Sequence, residues 1–364
     1  MIHGHGGNIH ALAHRLGCRP EEIIDVSSNI NPLGPPPGLM AYLKENMAVI
    51  GRLPEVDSHG ITAQMASSLG VDPECVLAGA GTTQFIYTLF PALASRQVLI
   101  VGPTYADYAD ACRLHHIEPQ YFMTNAEDCF QPDRVQLDQQ SGEYDTVVIC
   151  NPNNPTGVLI PREALSALCR RHPDTRFVID ESYLPFVPDA EGHSMVASGL
   201  ENVIVLHSLS KIYRLPGLRI GFAIGAAPVI ARLQRCVTPW SLNTLAQAAV
   251  AYIYEHGEEM VAFIEQTRRY VVDERQRFFK RLRGNGGWTC YPSQTSYFLI
   301  RLPEAMTAAG VCARFARERI LVRDCSNFYG LSERFIRVAI HQKKENDKIA
   351  EMLVGRTHRT EDRC

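Results

Sequence analysis

Residues 203–221 read VIVLHSLSKIYRLPGLRIG. The opening Val203-Ile204-Val205-Leu206 is the β-branched, uninterrupted apolar run expected of a strand buried on both faces. Just past it comes His207-Ser208-Leu209-Ser210-Lys211, and then Pro216-Gly217-Leu218-Arg219-Ile220-Gly221. A lysine directly after a buried strand is placed by rigid backbone, and desolvation there favours its neutral, nucleophilic form. Ser208, Ser210 and Arg219 are spaced to close on one phosphate. Alone, Lys211 reads equally well as a surface lysine on a turn, so its neighbours must decide.

Outward from this stretch the same texture repeats. Residues 98–101, 146–150, 177–180, 203–207 and 219–224 are short apolar runs bounded by Gly, Pro, Asn or Ser. Helical patterns lie between them at 83–93, 106–115 and 161–171, with Pro161 suited to a first helical position. This alternation predicts an α/β fold with a mostly parallel sheet, helices on both faces, and a ligand beyond the carboxyl ends of the strands. After Pro239 the pattern changes. Residues 243–283 read as nearly continuous helix interrupted at Gly257, followed by strands at 297–301, 320–323 and 335–340 and helices near 311–319 and 342–354. We expect an N-terminal arm over 1–45, a large domain over 46–240 and a smaller α+β domain over 241–364.

Composition narrows the function classes. The 364 residues are 46% hydrophobic, and 36 Lys+Arg against 39 Asp+Glu leave a formal net charge of -3. No basic excess points to nucleic acid or an anionic membrane as partner. The 11 cysteines contain no CxxC pair, which favours reduced thiols in the cytoplasm over a secreted disulfide framework. The start, MIHGHGGNIH, has neither a cationic n-region nor an apolar run, so it is not read as a signal peptide. His3 and His5 lack a third ligand at metal-site spacing, and His358 and Cys364 sit in a polar tail, so no metal is expected.

Four further motifs follow strands. Phe177-Val178-Ile179-Asp180-Glu181-Ser182-Tyr183 puts an acid at a strand end, fit to cap a helix or to hold a ring nitrogen protonated. Asn151-Pro152-Asn153-Asn154-Pro155-Thr156-Gly157 supplies turn residues and amide donors together. Gly79-Ala80-Gly81-Thr82-Thr83 opens a helix whose N–H groups suit a phosphate, without the third glycine of a dinucleotide fingerprint or the lysine of a P-loop. Pro103-Thr104-Tyr105 offers an aromatic face for stacking.

These motifs, in this order, resemble the fold-type-I pyridoxal-phosphate enzymes, specifically the aminotransferase class that contains histidinol-phosphate aminotransferase. The resemblance spans about residues 25–354 and implies an aspartate aminotransferase-like fold and a pyridoxal 5′-phosphate cofactor. It implies that Lys211 condenses with the cofactor aldehyde and that Asp180 pairs with the pyridinium nitrogen. Asn154 and Tyr183 are then hydrogen-bond partners of the ring hydroxyl, and Tyr105 stacks on the ring. Gly81, Thr82, Ser208, Ser210 and Arg219 are implied as phosphate ligands. A homodimer is implied too, but Leu53 in Leu53-Pro54-Glu55 replaces the tyrosine that usually reaches the partner's cofactor phosphate.

By the same resemblance Arg337 anchors the substrate carboxylate and Arg323 a substrate phosphate, so the substrate is a phosphorylated amino acid. The His5-Gly6-Gly7-Asn8 start, the Asn29-Ile30-Asn31-Pro32-Leu33-Gly34 stretch and Leu53 are similar to a decarboxylating branch of the class. That branch implies Gly7, Asn8, Asn31 and Asn154 as substrate contacts beside the two arginines. Two alternatives share the fold: an aminotransferase for a phosphorylated amine, and a non-catalytic effector-binding module. A dinucleotide dehydrogenase is disfavoured by the missing fingerprint.

Overall fold

The computed structural model describes residues 6–282 and 287–354. His3, His5, His358 and Cys364 therefore lie outside the described residues. The chain enters through α1 (Ile9–Leu16), whose first turn is capped by Asn8 accepting the Ala11 N–H at 3.0 Å and whose end is turned by Gly17 at φ 63. There follow β1 (Ile24–Asp25), α2 (Pro37–Glu45) and α3 (His59–Leu69).

The central layer is then laid down in order. It comprises β2 (Val76–Gly79), α4 (Thr82–Leu93), β3 (Val98–Gly102), α5 (Asp107–Leu114), β4 (Gln120–Met123), α6 (Arg134–Ser141) and β5 (Thr146–Cys150). It continues with α7 (Arg162–Arg171), β6 (Arg176–Asp180), α8 (Ala190–His193), β7 (Val203–Ser208), α9 (Leu209–Ile212), β8 (Gly221–Gly225) and α10 (Ala227–Gln234). The seven strands pair in the order β2-β8-β7-β6-β5-β3-β4, and β8 alone runs antiparallel to its neighbours. Val147–Ile149, Phe177–Ile179 and Ile204–Leu206 are all but inaccessible, as a sheet covered on both faces requires.

The remainder holds α11 (Thr244–Glu255), α12 (Gly257–Leu282), β9 (Thr289–Cys290), β10 (Tyr297–Arg301), α13 (Ala308–Arg317), β11 (Ile320–Leu321), β12 (Arg323–Asp324), β13 (Phe335–Ala339) and α14 (Lys343–Val354). An antiparallel sheet β12-β13-β10-β9 packs beside the long α12, and β1 of the arm adds to β11 in parallel. No helix among the described residues is long and apolar enough to cross a membrane.

Several local expectations are corrected. The strand read at 219–224 begins only at Gly221, because Arg219 takes a left-handed φ of 57 after a 3-10 turn over Pro216–Leu218. The strand read at 320–323 is two strands in different sheets, with Val322 at the switch. Pro161 caps α7 from outside, at ψ 145, rather than occupying its first turn. The interruption expected at Gly257 within the helix over 243–283 falls at His256, where α11 ends and α12 begins. Strands β2 and β4 were not expected: the first is only four residues of modest β propensity, and the second is an edge strand whose faces are mostly exposed.

Candidate active site

Every strand of the central sheet except β8 points its carboxyl end toward one rim. Because β8 runs the other way, its amino end reaches that same rim, so Arg219 joins Gly81, Tyr105, Asn154, Asp180 and Ser208 there. A cavity of about 250 Å³ opens at this edge. Its wall includes Gly81, Thr82, Tyr105, Asn154, Asp180, Tyr183, Ser208, Ser210, Lys211, Arg219, Arg323 and Arg337.

One end of the cavity is built for an oxyanion. Gly81 sits at φ 81, ψ 163, a conformation essentially reserved for glycine, immediately before α4. No side chain caps that helix; the Gln84 N–H turns back to the Gly81 carbonyl at 3.1 Å, and the N–H groups of Thr82 and Thr83 before it are placed for an anion. A Cβ on Gly81 would lie 2.8 Å from the Arg219 guanidinium, and one on Gly221 would lie 2.4 Å from the Thr82 nitrogen. Both glycines thus let β8 and Arg219 press against the helix N-terminus. Ser208 and Ser210 are buried on the facing turn, with Ser210 Oγ donating to the Ile220 carbonyl at 3.2 Å.

The middle of the cavity suits a flat heterocycle. Asp180 is buried, with Oδ1 accepting the Ser182 N–H at 2.9 Å and Oδ2 accepting the Tyr108 hydroxyl at 2.7 Å. Two bonds fix the carboxylate and leave lone pairs for a ring N–H. Tyr105 meets Tyr108 edge-on at 5.8 Å, and Tyr183 meets Tyr297 edge-on at 5.1 Å. Burial pushes the Tyr183 hydroxyl up to about 12, so it stays a donor across the neutral range. Lys211 lies on α9 at the cavity floor. Burial, reinforced by the Arg219 and Arg337 charges, pulls its amine down from 10.5 to about 8.

The far side is cationic. Arg337 is 5% exposed, donating through Nη1 to Asn154 Oδ1 and through Nη2 to the Ser27 carbonyl, while its Nε has no partner. No carboxylate among the described residues pairs with it, and a buried guanidinium without an anion is costly. Because a guanidinium only donates, it fixes the Asn154 amide with oxygen toward Arg337, leaving the NH₂ as the group offered elsewhere. Arg323 lies directly across from Arg337 on β12, held by Asn327 Oδ1 at 2.7 Å and by the Phe328 ring at 5.0 Å.

The arm does not behave as expected. Asn31 is fully buried away from the cavity wall, and its amide is consumed by Ile212, Thr267 and Leu33. Asn8 is spent on capping α1, and Gly7 donates its N–H to Ser27 Oγ at 2.7 Å. Gly6, Ser27, Ser28 and Asn29 line the cavity instead. Asp25 holds this turn by accepting from Ser27 N, Ser27 Oγ and Ser28 N. The buried amide of Asn29, beside Tyr183, completes no geometrically sound hydrogen bond within the protein. Tyr108 was also missed, although it follows Tyr105 by three residues, on the first turn of α5.

The donor set therefore fits pyridoxal 5′-phosphate: an oxyanion cup, a carboxylate for a ring nitrogen, amide and phenol donors for a ring oxygen, and a depressed amine. The model of aminotransferase class I and II matches residues 21–353. The chain is 32% identical to the threonine-phosphate decarboxylase of Salmonella typhimurium over 352 residues, 96% of this chain and 95% of that one. It is 28% identical to the adenosylcobalamin biosynthesis bifunctional protein CobDQ of Leptospira interrogans, over 95% of this chain and 40% of the larger protein. The crystal structure of L-threonine-O-3-phosphate decarboxylase from Porphyromonas gingivalis superposes with a TM-score of 0.80 at 32% identity, covering 91% of this chain and 98% of that one. With its aspartate aminotransferase-like fold and a cavity shaped for pyridoxal phosphate, the chain belongs to the aminotransferase class I and II family.

Proposed function

We propose that this chain removes the α-carboxylate of L-threonine O-3-phosphate, releasing carbon dioxide and (R)-1-amino-2-propanol O-2-phosphate for adenosylcobalamin assembly. The observation that carries the reading is the pair of arginines opposed across β12 and β13 at the cavity, beside the similarity to threonine-phosphate decarboxylases. A substrate with one carboxylate and one phosphate supplies the two anions this pair lacks.

When bound, pyridoxal phosphate supplies the electron sink that takes up the pair left on Cα. Asp180, fixed by Tyr108 and Ser182, holds the proton on the ring nitrogen. Tyr183 and the Asn154 NH₂ donate to the ring oxygen, and Tyr105 covers the ring face. Arg219, Ser208, Ser210, Thr82 and the Gly81 turn hold the cofactor phosphate. Arg337 and Arg323 would hold the substrate's carboxylate and phosphate and so orient the bond to the carboxylate, rather than the Cα–H bond, for cleavage, and catalysis would then be chiefly positioning. Lys211, whose amine is easily deprotonated, returns a proton to Cα.

The protein works as a cytoplasmic homodimer in this reading. Met47, Ile50, Leu53, Val56 and Trp240 are large apolar side chains left exposed, and the Trp240 backbone N–H donates to the Val56 carbonyl at 3.1 Å, which brings those two together. The ten described cysteines are free thiols, in keeping with a reducing compartment. The deciding experiment is incubation with threonine phosphate. Stoichiometric carbon dioxide without keto acid supports the decarboxylase; accumulation of pyridoxamine phosphate and keto acid replaces it with the aminotransferase reading.

A further inference from the structure

We propose that Asn31 is a positioning residue for Lys211, clamping the one-turn helix that carries the amine to the arm and to α12. The inference rests on the assignment of Lys211 above. Helix α9 spans only Leu209–Ile212. The N–H groups of Tyr213, Leu215 and Arg214 reach the Leu209, Ser210 and Lys211 carbonyls, yet a single turn has little intrinsic stability, so its orientation depends on contacts from outside. Asn31 provides this from both backbone and side chain. Its N–H donates to the Lys211 carbonyl at 3.0 Å, and its side-chain amide donates to the Ile212 carbonyl at 2.7 Å. The second amide hydrogen goes to Thr267 Oγ1 on α12 at 2.8 Å.

The acceptors of Asn31 are used as fully. Oδ1 takes the Leu33 N–H at 2.9 Å, and its carbonyl takes Arg214 Nη1 at 2.9 Å. With no exposure, this residue has no contact left for a substrate. Aspartate lacks the two donors, and a longer side chain does not fit a fully enclosed site. The arm is itself locked to the sheet bearing both arginines through the Val26 carbonyl, which accepts the N–H of Ala339 on β13 at 2.8 Å. Asn31 therefore ties the amine and the anion-binding arginines into one frame.

The test uses cofactor-loaded Asn31→Ala and the milder, near-isosteric Thr267→Val, which releases only one of the two amide anchors. Asn202→Ala is the control. Asn202 makes the same kind of buried clamp, donating to Cys169, His172 and Thr175 carbonyls, but at the opposite ends of the strands. We expect the pH midpoint of the visible cofactor absorption to move by about half a unit or more in Asn31→Ala, and by less in Thr267→Val. We expect kcat to fall about tenfold in Asn31→Ala with KM within about twofold, since misplacement alone costs rate. Asn202→Ala should match the loss in Tm without moving the midpoint. Unmoved midpoints in both test variants, or an equal shift in Asn202→Ala, overturn the proposal. A wild-type holoenzyme whose chromophore borohydride does not trap on Lys211 overturns the Lys211 assignment instead.

Discussion

Arg323 and Arg337 are direct cross-strand partners on β12 and β13, so two guanidinium groups emerge side by side on one face of an antiparallel pair. Like charges directly opposite destabilise a sheet by ~0.2–1 kcal/mol. Arg323 leans on Asn327 and Phe328, and Arg337 on Asn154 and Ser27, so neither has an acid to neutralise it among the described residues. A pairing that costs stability in the free protein is explained by an anionic substrate that repays it.

Arg323→Gln is therefore expected to raise the Tm of the substrate-free protein slightly while raising KM for threonine phosphate tenfold or more, on the order of 1.4 kcal/mol of lost binding. Inorganic phosphate should raise the Tm of the wild type and leave that of Arg323→Gln unmoved. Scanning calorimetry with and without phosphate checks both statements.

Gly81→Ala places a side chain at φ 81, ψ 163 and a Cβ 2.8 Å from Arg219. Such backbone strain costs ~1–3 kcal/mol, and relieving it moves Arg219 off the phosphate cup. The expected result is a folded protein whose pyridoxal phosphate affinity falls tenfold or more, read from retention of visible absorbance through dialysis.

Tyr108→Phe keeps the ring and removes the hydroxyl that donates to Asp180. A hydrogen bond to a buried charged group is worth ~1.5–3 kcal/mol, so denaturant unfolding should register a loss of that order. Activity should fall about tenfold or more, because the carboxylate proposed to hold the ring-nitrogen proton loses one of its two fixed bonds. Full activity in this variant would show that Ser182 alone orients Asp180.

The Lys211 amine is lowered by burial to about 8, against 10.5 for an ordinary lysine. The unfolded chain then binds more protons than the native one between these values, so stability rises with pH across that window. Below about 8 the burial penalty is at its full size. Lys211→Met should thus raise the Tm of the cofactor-free protein at pH 7, and the advantage should shrink as pH climbs from about 8 to 10.5. Capture of pyridoxal phosphate by cofactor-free wild type should likewise accelerate through a midpoint near 8, measured by stopped-flow absorbance.

Leu53 is 80% exposed, three residues along the chain from the exposed Ile50 and from the exposed Val56. Leu53→Asp should weaken a homodimer about tenfold without lowering the Tm of the dissociated chain, as followed by sedimentation velocity over a concentration series.

Much of this protein was legible before any coordinate. The parallel sheet followed from β-branched runs at 98–101, 146–150, 177–180 and 203–207, because burial on both faces leaves a strand no polar alternative. The motifs that end those strands carried Lys211, Asp180, Asn154 and Tyr105 to the cavity, since residues at strand ends are placed largely by local backbone. The arm was read in the wrong places. Asn29 and Asn31 are the same residue type two positions apart in a Pro-rich stretch without periodicity, and no local rule says which faces a cavity. Arg219 was read into a strand because its left-handed φ exists only to reach Gly81, a contact across the sheet.

Local chemistry along the chain thus determined the α/β class and, with the motif resemblance, pointed to the cofactor and to the residues that line its cavity, because periodicity and strand-end motifs act over a few residues. Tertiary structure alone decided that Asn29 faces the cavity while Asn31 braces Lys211, that Tyr108 supports Asp180, and that Arg323 opposes Arg337. Each of those relationships joins segments far apart in the chain, through a register or a packing contact that no stretch of sequence encodes by itself.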